Sequence, residues 1–99
     1  MRARRIDANH TEIKKAFISL GCSVLDLYAV GSGCPDLLVS DGISVLVEIK
    51  TLTGELNKAQ IEFKKVWKGP VATIRDTAGV ANLVNTIRMM KSNGQSLSI

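Results

Sequence analysis

Residues 33–50 of the chain read GCPDLLVSDGISVLVEIK, and this stretch decides the fold. Two runs rich in β-forming residues, 36–39 and 43–50, flank the turn sequence Ser40-Asp41-Gly42, in which glycine suits a left-handed backbone conformation. The pattern predicts two antiparallel strands joined by a tight hairpin.

The loop length sets which side chains share a face of this hairpin. A three-residue loop over Ser40-Asp41-Gly42 pairs Val39 with Ile43 and places Asp36 opposite Leu46. One face then carries only apolar side chains: Leu37, Val39, Ile43, Val45, Val47 and Ile49. The other face carries Asp36, Leu38, Ser44, Leu46, Glu48 and Lys50. A two-residue turn would instead bury the Asp36 carboxylate among hydrocarbon at a cost of several kcal/mol, so we predict Asp36, Glu48 and Lys50 on the solvent-facing side.

In this register the two acids are diagonal neighbours, about 7–8 Å apart at the backbone, and both carboxylates can reach one ion. Carboxylate oxygens are ligands that Mg²⁺ prefers, so the pair outlines a hard-cation site. The ammonium of Lys50 points the same way and can orient a nucleophile or offset charge on a phosphodiester. Alternating Glu and Lys is also typical of a strand face that simply meets water, and this interpretation stays open.

Outside the hairpin, the sequence predicts three helices and two further strands. Apolar spacing predicts a helix from about Asn9 to Leu20, a strand over 23–28, a strand over 71–75 and a last helix that follows Asp76 or Thr77 and runs to about Lys91. Asn57 and Gln60 form a capping-box pattern that begins the middle helix. Its apolar stripe favours core positions for Phe63 and Trp67 over base-stacking ones. The element order is αβββαβα, an α/β fold.

Length and composition bound the kind of protein. Ninety-nine residues with 45% hydrophobic side chains predict a single domain over 1–99, with 1–8 and 92–99 loose. No apolar run approaches the roughly 20 residues of a membrane span, so we expect no membrane association. Two cysteines are too few for a disulfide framework, which favours a reducing cytoplasm, and the lone His10 is expected at the surface.

The charge of the chain predicts a polyanionic partner. The formal net charge is +4, and the first fifteen residues hold five basic against two acidic side chains. Candidate DNA contacts come from the first fifteen residues and from the middle helix: Arg2, Arg4, Arg5, Lys14, Lys58 and Lys64.

Three segments together resemble a known nuclease family. Gly33-Cys34-Pro35-Asp36-Leu37 followed by Val47-Glu48-Ile49-Lys50 resembles the PD-(D/E)xK nuclease signature. Leu56-Asn57-Lys58-Ala59-Gln60 is similar to the glutamine-bearing helix start of the virus-type replication-repair nuclease (VRR-NUC) branch. The resemblance covers nearly the whole chain and implies a restriction-endonuclease-like core, a mixed sheet flanked by helices.

The resemblance also implies a Mg²⁺-dependent endodeoxyribonuclease in which Mn²⁺ substitutes. Asp36 and Glu48 would ligate the metal with the Ile49 carbonyl, and Lys50 would position or activate the attacking water. Gln60 would line the site, although as the third residue of a capping box it needs no active site. Glu12 matches an acidic residue that many members place near the metals, and it can equally be a solvated helix carboxylate.

Small stand-alone members of this branch are often phage or prophage proteins. They behave as homodimers that cut branched DNA such as four-way (Holliday) junctions. The resemblance therefore implies DNA, a second copy of the chain and the cytoplasm of a bacterial or phage-infected cell as its setting. The alternative is a nucleic-acid-binding module on the same fold with weak or no catalysis.

Overall fold

The computed structural model describes residues 8–93. Its elements are α1 (Ala8–Ser19), β1 (Ser23–Asp26), β2 (Leu37–Ser40), β3 (Ser44–Ile49), α2 (Lys58–Val66), β4 (Val71–Ile74) and α3 (Thr77–Ser92). The predicted order αβββαβα is confirmed. Of the two segments expected to be loose, Ala8 begins α1 and Ser92 ends α3. Apart from Ala8, Ser92 and Asn93, both segments lie outside the described residues. Within residues 8–93, no helix has the length and apolar character that a membrane crossing needs.

The four strands form one mixed sheet in the order β1-β2-β3-β4. β1, β2 and β3 pair antiparallel as a meander, whereas β4 pairs parallel to β3 after the crossover that contains α2. A parallel pair needs such a crossover because the chain must return to the same end of the sheet.

The hairpin register is two residues away from the predicted one. Ser40 pairs with Ser44 and Leu37 with Val47, so the three-residue loop consists of Asp41, Gly42 and Ile43. Gly42 has φ +93°, a left-handed conformation that glycine adopts without strain. The prediction had the loop length right and its position wrong. A shift of two residues preserves the face of every side chain, so the sorting of the strands into two faces stands.

The apolar face of the sheet packs against α1 and α3. Its buried core consists of Ile13, Phe17, Cys22, Leu37, Val39, Val45, Val47, Ile74, Val80, Val84 and Ile87. Burial raises the pKa of the Cys22 thiol, as expected for a small side chain in this core. Two layers of helix and sheet around one core are enough to stabilise a domain of this size.

The second helix covers the opposite face of the sheet, and only its first turns reach the strands. Gln60 is buried and Phe63 is half-buried, whereas Val66 and Trp67 are 72% and 48% exposed. The predicted core position of Trp67 is therefore wrong, and Phe63 is only partly covered. The apolar spacing is present, but α2 runs past the part of the sheet that could bury its last turn.

Asp41 in the hairpin loop ties this turn to α3. Its carboxylate accepts a 2.8 Å hydrogen bond from Arg88 Nε and lies 3.5 Å from Lys91 Nζ. Arg88 also donates to the Leu20 carbonyl just past α1, so one guanidinium joins three segments. The hydrogen bond from Arg88 holds the pKa of Asp41 below its ordinary value, and the same bond raises the pKa of Arg88.

We expect the Asp41→Asn variant to be less stable than the parent at neutral pH and equally stable in acid. Because the folded-state pKa of Asp41 is depressed, its contribution is complete above the unfolded value of about 4 and is lost as the pH falls through the folded value. Urea unfolding of both proteins across this range measures the difference. A stability gap that stays constant with pH would contradict the assignment.

Candidate active site

Asp36 and Glu48 face each other across β2 and β3. Extending the observed pairing by one step from Leu37 and Val47 places them directly opposite. Residues directly opposite lie about 4.5–5.5 Å apart at Cα, closer than the predicted diagonal arrangement. The alternation of side chains along each strand brings the two acids to one face, as predicted. The observed register brings them nearer to each other than the predicted diagonal pairing would.

The two acids do not lie on a wet surface. Asp36 is 6% exposed and Glu48 4%, because α2 and the loop before Asp36 cover this end of the sheet. The expectation of a solvent-facing pair is therefore wrong. Buried ionised carboxylates need hydrogen-bond donors or cations, so the contacts around each one define the chemistry of the site.

Asp36 is held by the strand opposite it. Its Oδ2 accepts a 2.7 Å hydrogen bond from the Ile49 backbone N–H, and its own carbonyl accepts from the Leu27 N–H. Ile49 is the residue whose carbonyl is the predicted third metal ligand. Its N–H contacts Asp36, the first predicted ligand. The Ile49 backbone N–H thus helps to set the direction of the Asp36 carboxylate.

Gln60 both caps α2 and contacts Glu48. Its Oε1 accepts from the Asn57 N–H and its N–H donates to Asn57 Oδ1, each at 2.9 Å, so the predicted capping box is confirmed. Its Nε2 donates to Glu48 Oε2 at 3.2 Å. The two interpretations of Gln60 are compatible because each uses a different atom of the same amide.

We expect Gln60→Ala to destabilise the domain more than Asn57→Ala. Each change breaks the capping box, which costs about 1 kcal/mol. Only Gln60→Ala also removes a donor from a buried carboxylate, which costs about 1–3 kcal/mol more. Urea unfolding compares the two variants, and equal losses would show that the bond to Glu48 contributes nothing to stability.

A close approach at Gly33 holds the loop before Asp36 against the start of α2. Gly33 has φ +81°, and a Cβ placed there would lie 2.3 Å from the Ala59 carbonyl oxygen. Only glycine fits both the backbone conformation and the space. This contact fixes the distance between the Asp36 strand and the helix turn that carries Gln60.

Lys50 directly follows β3, two residues after Glu48, and is half-buried. Its backbone is fixed on two sides: its N–H donates to the Ile74 carbonyl, and its carbonyl accepts from Asn9 Nδ2 at 3.1 Å. The alternation of the strand directs Lys50 to the same face as Glu48.

Arg75 was missed by the sequence analysis. Its Nη1 donates to the carbonyls of Thr51 and Gly54, so it clasps the loop between Lys50 and α2. The signal was present in the sequence, since an arginine that ends a strand next to β3 is placed to reach the loop that leaves β3.

Glu12 stands apart from the two buried acids. It is exposed on α1, and residues 8–93 contain no group of three or more His, Cys, Asp or Glu side chains suited to hold a metal ion. The described ligand set is therefore two carboxylates with neighbouring backbone. Of the two interpretations of Glu12, the exposed position favours the solvated carboxylate.

The predicted DNA contacts fall into three groups. Arg2, Arg4 and Arg5 lie outside the described residues. Lys58 and Lys64 are exposed on α2, and Lys64 also lines the pocket next to Glu48. Lys14 forms a 2.7 Å ion pair with Asp26, so its charge is largely compensated within the domain.

His10 lies beside this ion pair and is buried rather than at the surface as expected. His10 Nε2 lies 3.4 Å from Asp26 Oδ1, and its ring meets Tyr28 edge-on at 5.9 Å. Burial raises the pKa of Asp26, but the hydrogen bond and charge of Lys14, with His10, outweigh this effect and lower it overall. Asp26 thus joins β1 to α1.

Comparison with known proteins supports the fold. No protein-family model and no curated protein sequence matches the chain. A solved structure described as a "VRR_NUC domain" is similar, with a TM-score of 0.65 and 24% sequence identity over 80% of this chain and 97% of that one. The chain therefore has the fold of a VRR_NUC domain, which confirms the predicted restriction-endonuclease-like α/β class.

Proposed function

We propose that the domain hydrolyses phosphodiester bonds in DNA with a divalent cation held by Asp36 and Glu48. One observation carries the proposal: two buried carboxylates lie directly opposite each other on neighbouring strands. Like charges at this separation repel, and burial strengthens the repulsion because water does not screen them. A divalent cation between them would remove that cost.

The donor set fits Mg²⁺ or Mn²⁺. Both acids offer hard oxygen ligands. The Ile49 carbonyl is a further oxygen next to them, because Ile49 directly follows Glu48 and its N–H contacts Asp36. A cation held there would supply Lewis-acid polarisation of the phosphodiester. The site needs only part of a coordination shell from protein, because Mg²⁺ usually retains water and takes phosphate oxygens.

The side chains around the acids have distinct roles in this proposal. The Ile49 N–H orients Asp36, and the Gln60 amide orients Glu48, so both carboxylates are fixed before substrate arrives. Lys50 positions the attacking water and offsets negative charge that develops on the phosphate oxygens. Lys64, at the rim of the same pocket, contacts a substrate phosphate.

We further propose that the substrate is branched DNA and that the active form is a homodimer. The net charge of +4 and the lysines Lys58 and Lys64 on α2 favour a nucleic acid partner. Residues 8–93 contain one such buried acid pair, which can serve one scissile phosphate. Two copies are needed to cut both strands at a four-way junction.

Cleavage of labelled linear, flap and four-way-junction DNA tests the proposal, with Mg²⁺, Mn²⁺ or EDTA in parallel reactions. We expect cutting with either metal, none with EDTA, and a preference for the junction. Sedimentation of the protein alone measures the dimer. Binding without cutting under every metal condition would favour the alternative, a nucleic-acid-binding module on this fold.

A further inference from the structure

An apolar groove lies beside the acid pair on the same face of the sheet. It has a volume of about 410 Å³, and its apolar lining includes Leu27, Leu38, Leu46, Phe63, Trp67 and Pro70. Leu38 and Leu46 pair directly across β2 and β3 and form its floor. The apolar stripe of α2 that fails to reach the sheet forms its wall.

The wall of the groove is a pair of stacked aromatic rings. Phe63 and Trp67 lie one helical turn apart, with ring centroids 5.3 Å apart and planes inclined by 15°. Trp67 is 48% exposed although its indole is the largest side chain in the domain. A partly exposed, stacked aromatic pair above an apolar floor is a surface on which a flat apolar ligand can stack.

The segment that carries this aromatic pair is rich in positive charge. Residues 57–68 contain four lysines, Lys58, Lys64, Lys65 and Lys68, against the single acid Glu62. Glu62 lies 3.6 Å from Lys65, so it compensates only part of the charge. A ligand that combines a flat aromatic group with negative charge therefore matches the groove and its rim.

The groove adjoins the pocket of the candidate active site, and the two share the side chain of Phe63. Phe63 lines both the groove and the pocket that contains Glu48 and Gln60, and Lys64 follows it at the rim of that pocket. A nucleotide in the groove would therefore lie next to the phosphate held at the acids.

We propose that the groove binds an unpaired nucleobase, stacked against Trp67, from the nucleotide beside the scissile phosphate. The inference rests on the proposed function and extends it, because it assigns to the domain a preference for DNA whose bases are not fully paired. Base stacking on aromatic side chains tolerates any sequence, so the groove would recognise DNA structure and not sequence.

A second copy of the chain fits the groove less well. A two-fold symmetric contact over α2 would bring the four lysines of one copy toward those of the other. Like charges at such a contact disfavour association, whereas DNA phosphates would neutralise them.

The sole tryptophan of the chain makes the test direct. A short thymidine oligonucleotide and the same strand with abasic nucleotides are titrated in EDTA, with Trp67 emission and the anisotropy of a dye on the DNA as the two readouts. We expect the thymidine strand to quench Trp67 emission and to bind about 5- to 150-fold more tightly than the abasic strand, the range that stacking one base provides.

Three variants complete the test, with anisotropy as the readout. Trp67→Ala should lose affinity for the thymidine strand in the same range and should no longer distinguish the abasic strand. Trp67→Phe retains a ring and should keep most of the affinity. Val66→Ala is the matched control. Val66 directly precedes Trp67 and is exposed, but it does not line the groove.

The outcomes separate this proposal from the proposed function because the titrations need no cleavage. Unchanged Trp67 emission at saturating DNA overturns the base site, even where the wild-type protein cuts DNA. Equal affinities of Trp67→Ala and Val66→Ala also overturn it. If Trp67→Ala converts a dimer to a monomer while its DNA affinity per site is unchanged, the groove belongs to a second copy and the proposal fails. Quenching by DNA that the protein never cuts supports the base site and counts against the proposed catalysis.

Discussion

Asp36→Asn and Glu48→Gln are each expected to reduce DNA cleavage by about a hundredfold or more and to leave the domain folded. Loss of groups that only support metal ligands typically costs about 10–100-fold in metal affinity or activity, so loss of a ligand itself should cost at least as much. The amides keep the shape of the acids, and the side chain introduced by Asp36→Asn would still offer an oxygen to the Ile49 N–H. Removing one charge from a buried like-charged pair should leave stability unchanged or raise it.

Two measurements check this prediction. Single-turnover cleavage at saturating Mg²⁺ reports activity. Thermal unfolding with and without Mn²⁺ reports metal binding, because a metal that binds the folded state raises its melting temperature. Glu62→Gln, an exposed acid on α2, is the matched control. Wild-type activity in either amide variant would refute the assignment of the pair.

The burial of the acids explains the choice of amides. An alanine in place of Asp36 would leave the Ile49 N–H without its carboxylate acceptor in a region that water barely reaches. Loss of this acceptor costs about 1–3 kcal/mol of stability. A fall in cleavage by the alanine variant could then come from unfolding as well as from loss of the metal ligand.

Gly33→Ala is expected to lower the free energy of unfolding by about 2–5 kcal/mol. The left-handed conformation costs about 1–2 kcal/mol for a residue with a Cβ, and the clash with the Ala59 carbonyl adds about 1–3 kcal/mol of overpacking. Because relief of the clash requires the start of α2 to move, Gln60 would be displaced from Glu48. Cleavage should therefore fall as well under conditions in which the variant is folded.

Gly31→Ala provides the control for Gly33→Ala. Gly31 also has a positive φ, +76°, but a Cβ there would meet nothing within 4 Å. The Gly31→Ala variant should lose only the conformational contribution to the free energy of unfolding, about 1–2 kcal/mol, and should keep its cleavage activity. Urea unfolding of both variants isolates the contact, and equal destabilisation would mean that the approach of the loop to α2 is not tight.

The sequence alone predicted those features that depend on residues close together in the chain. The Asn57 and Gln60 capping box depends on residues three apart, and the face of each strand residue depends only on parity. The position of the hairpin loop was not predictable in this way, because registers two residues apart bury the same side chains. Asp41 lies in the loop in both registers, so its ion pairs with Arg88 and Lys91 do not select between them.

The burial of the acids and the exposure of Trp67 were missed for one shared reason. Both depend on where α2 lies over the sheet, and Gly33 fixes that position through a contact with Ala59 far along the chain. Polar alternation on a strand predicts a wet face unless another element covers it. An apolar stripe predicts a core position only where the partner surface extends far enough.

The chain order of the sheet determines when the site can assemble during folding. β1, β2 and β3 are neighbours both in sequence and in space, whereas β4 joins β3 only after the crossover of residues 50–70 has closed. Pairings between segments near in sequence form faster, because less chain entropy is lost before contact. The meander should therefore unite Asp36 and Glu48 early, while the crossover that brings Gln60 to them closes late. We therefore expect that, in a refolding or newly made chain, the two acids meet in water before α2 covers them.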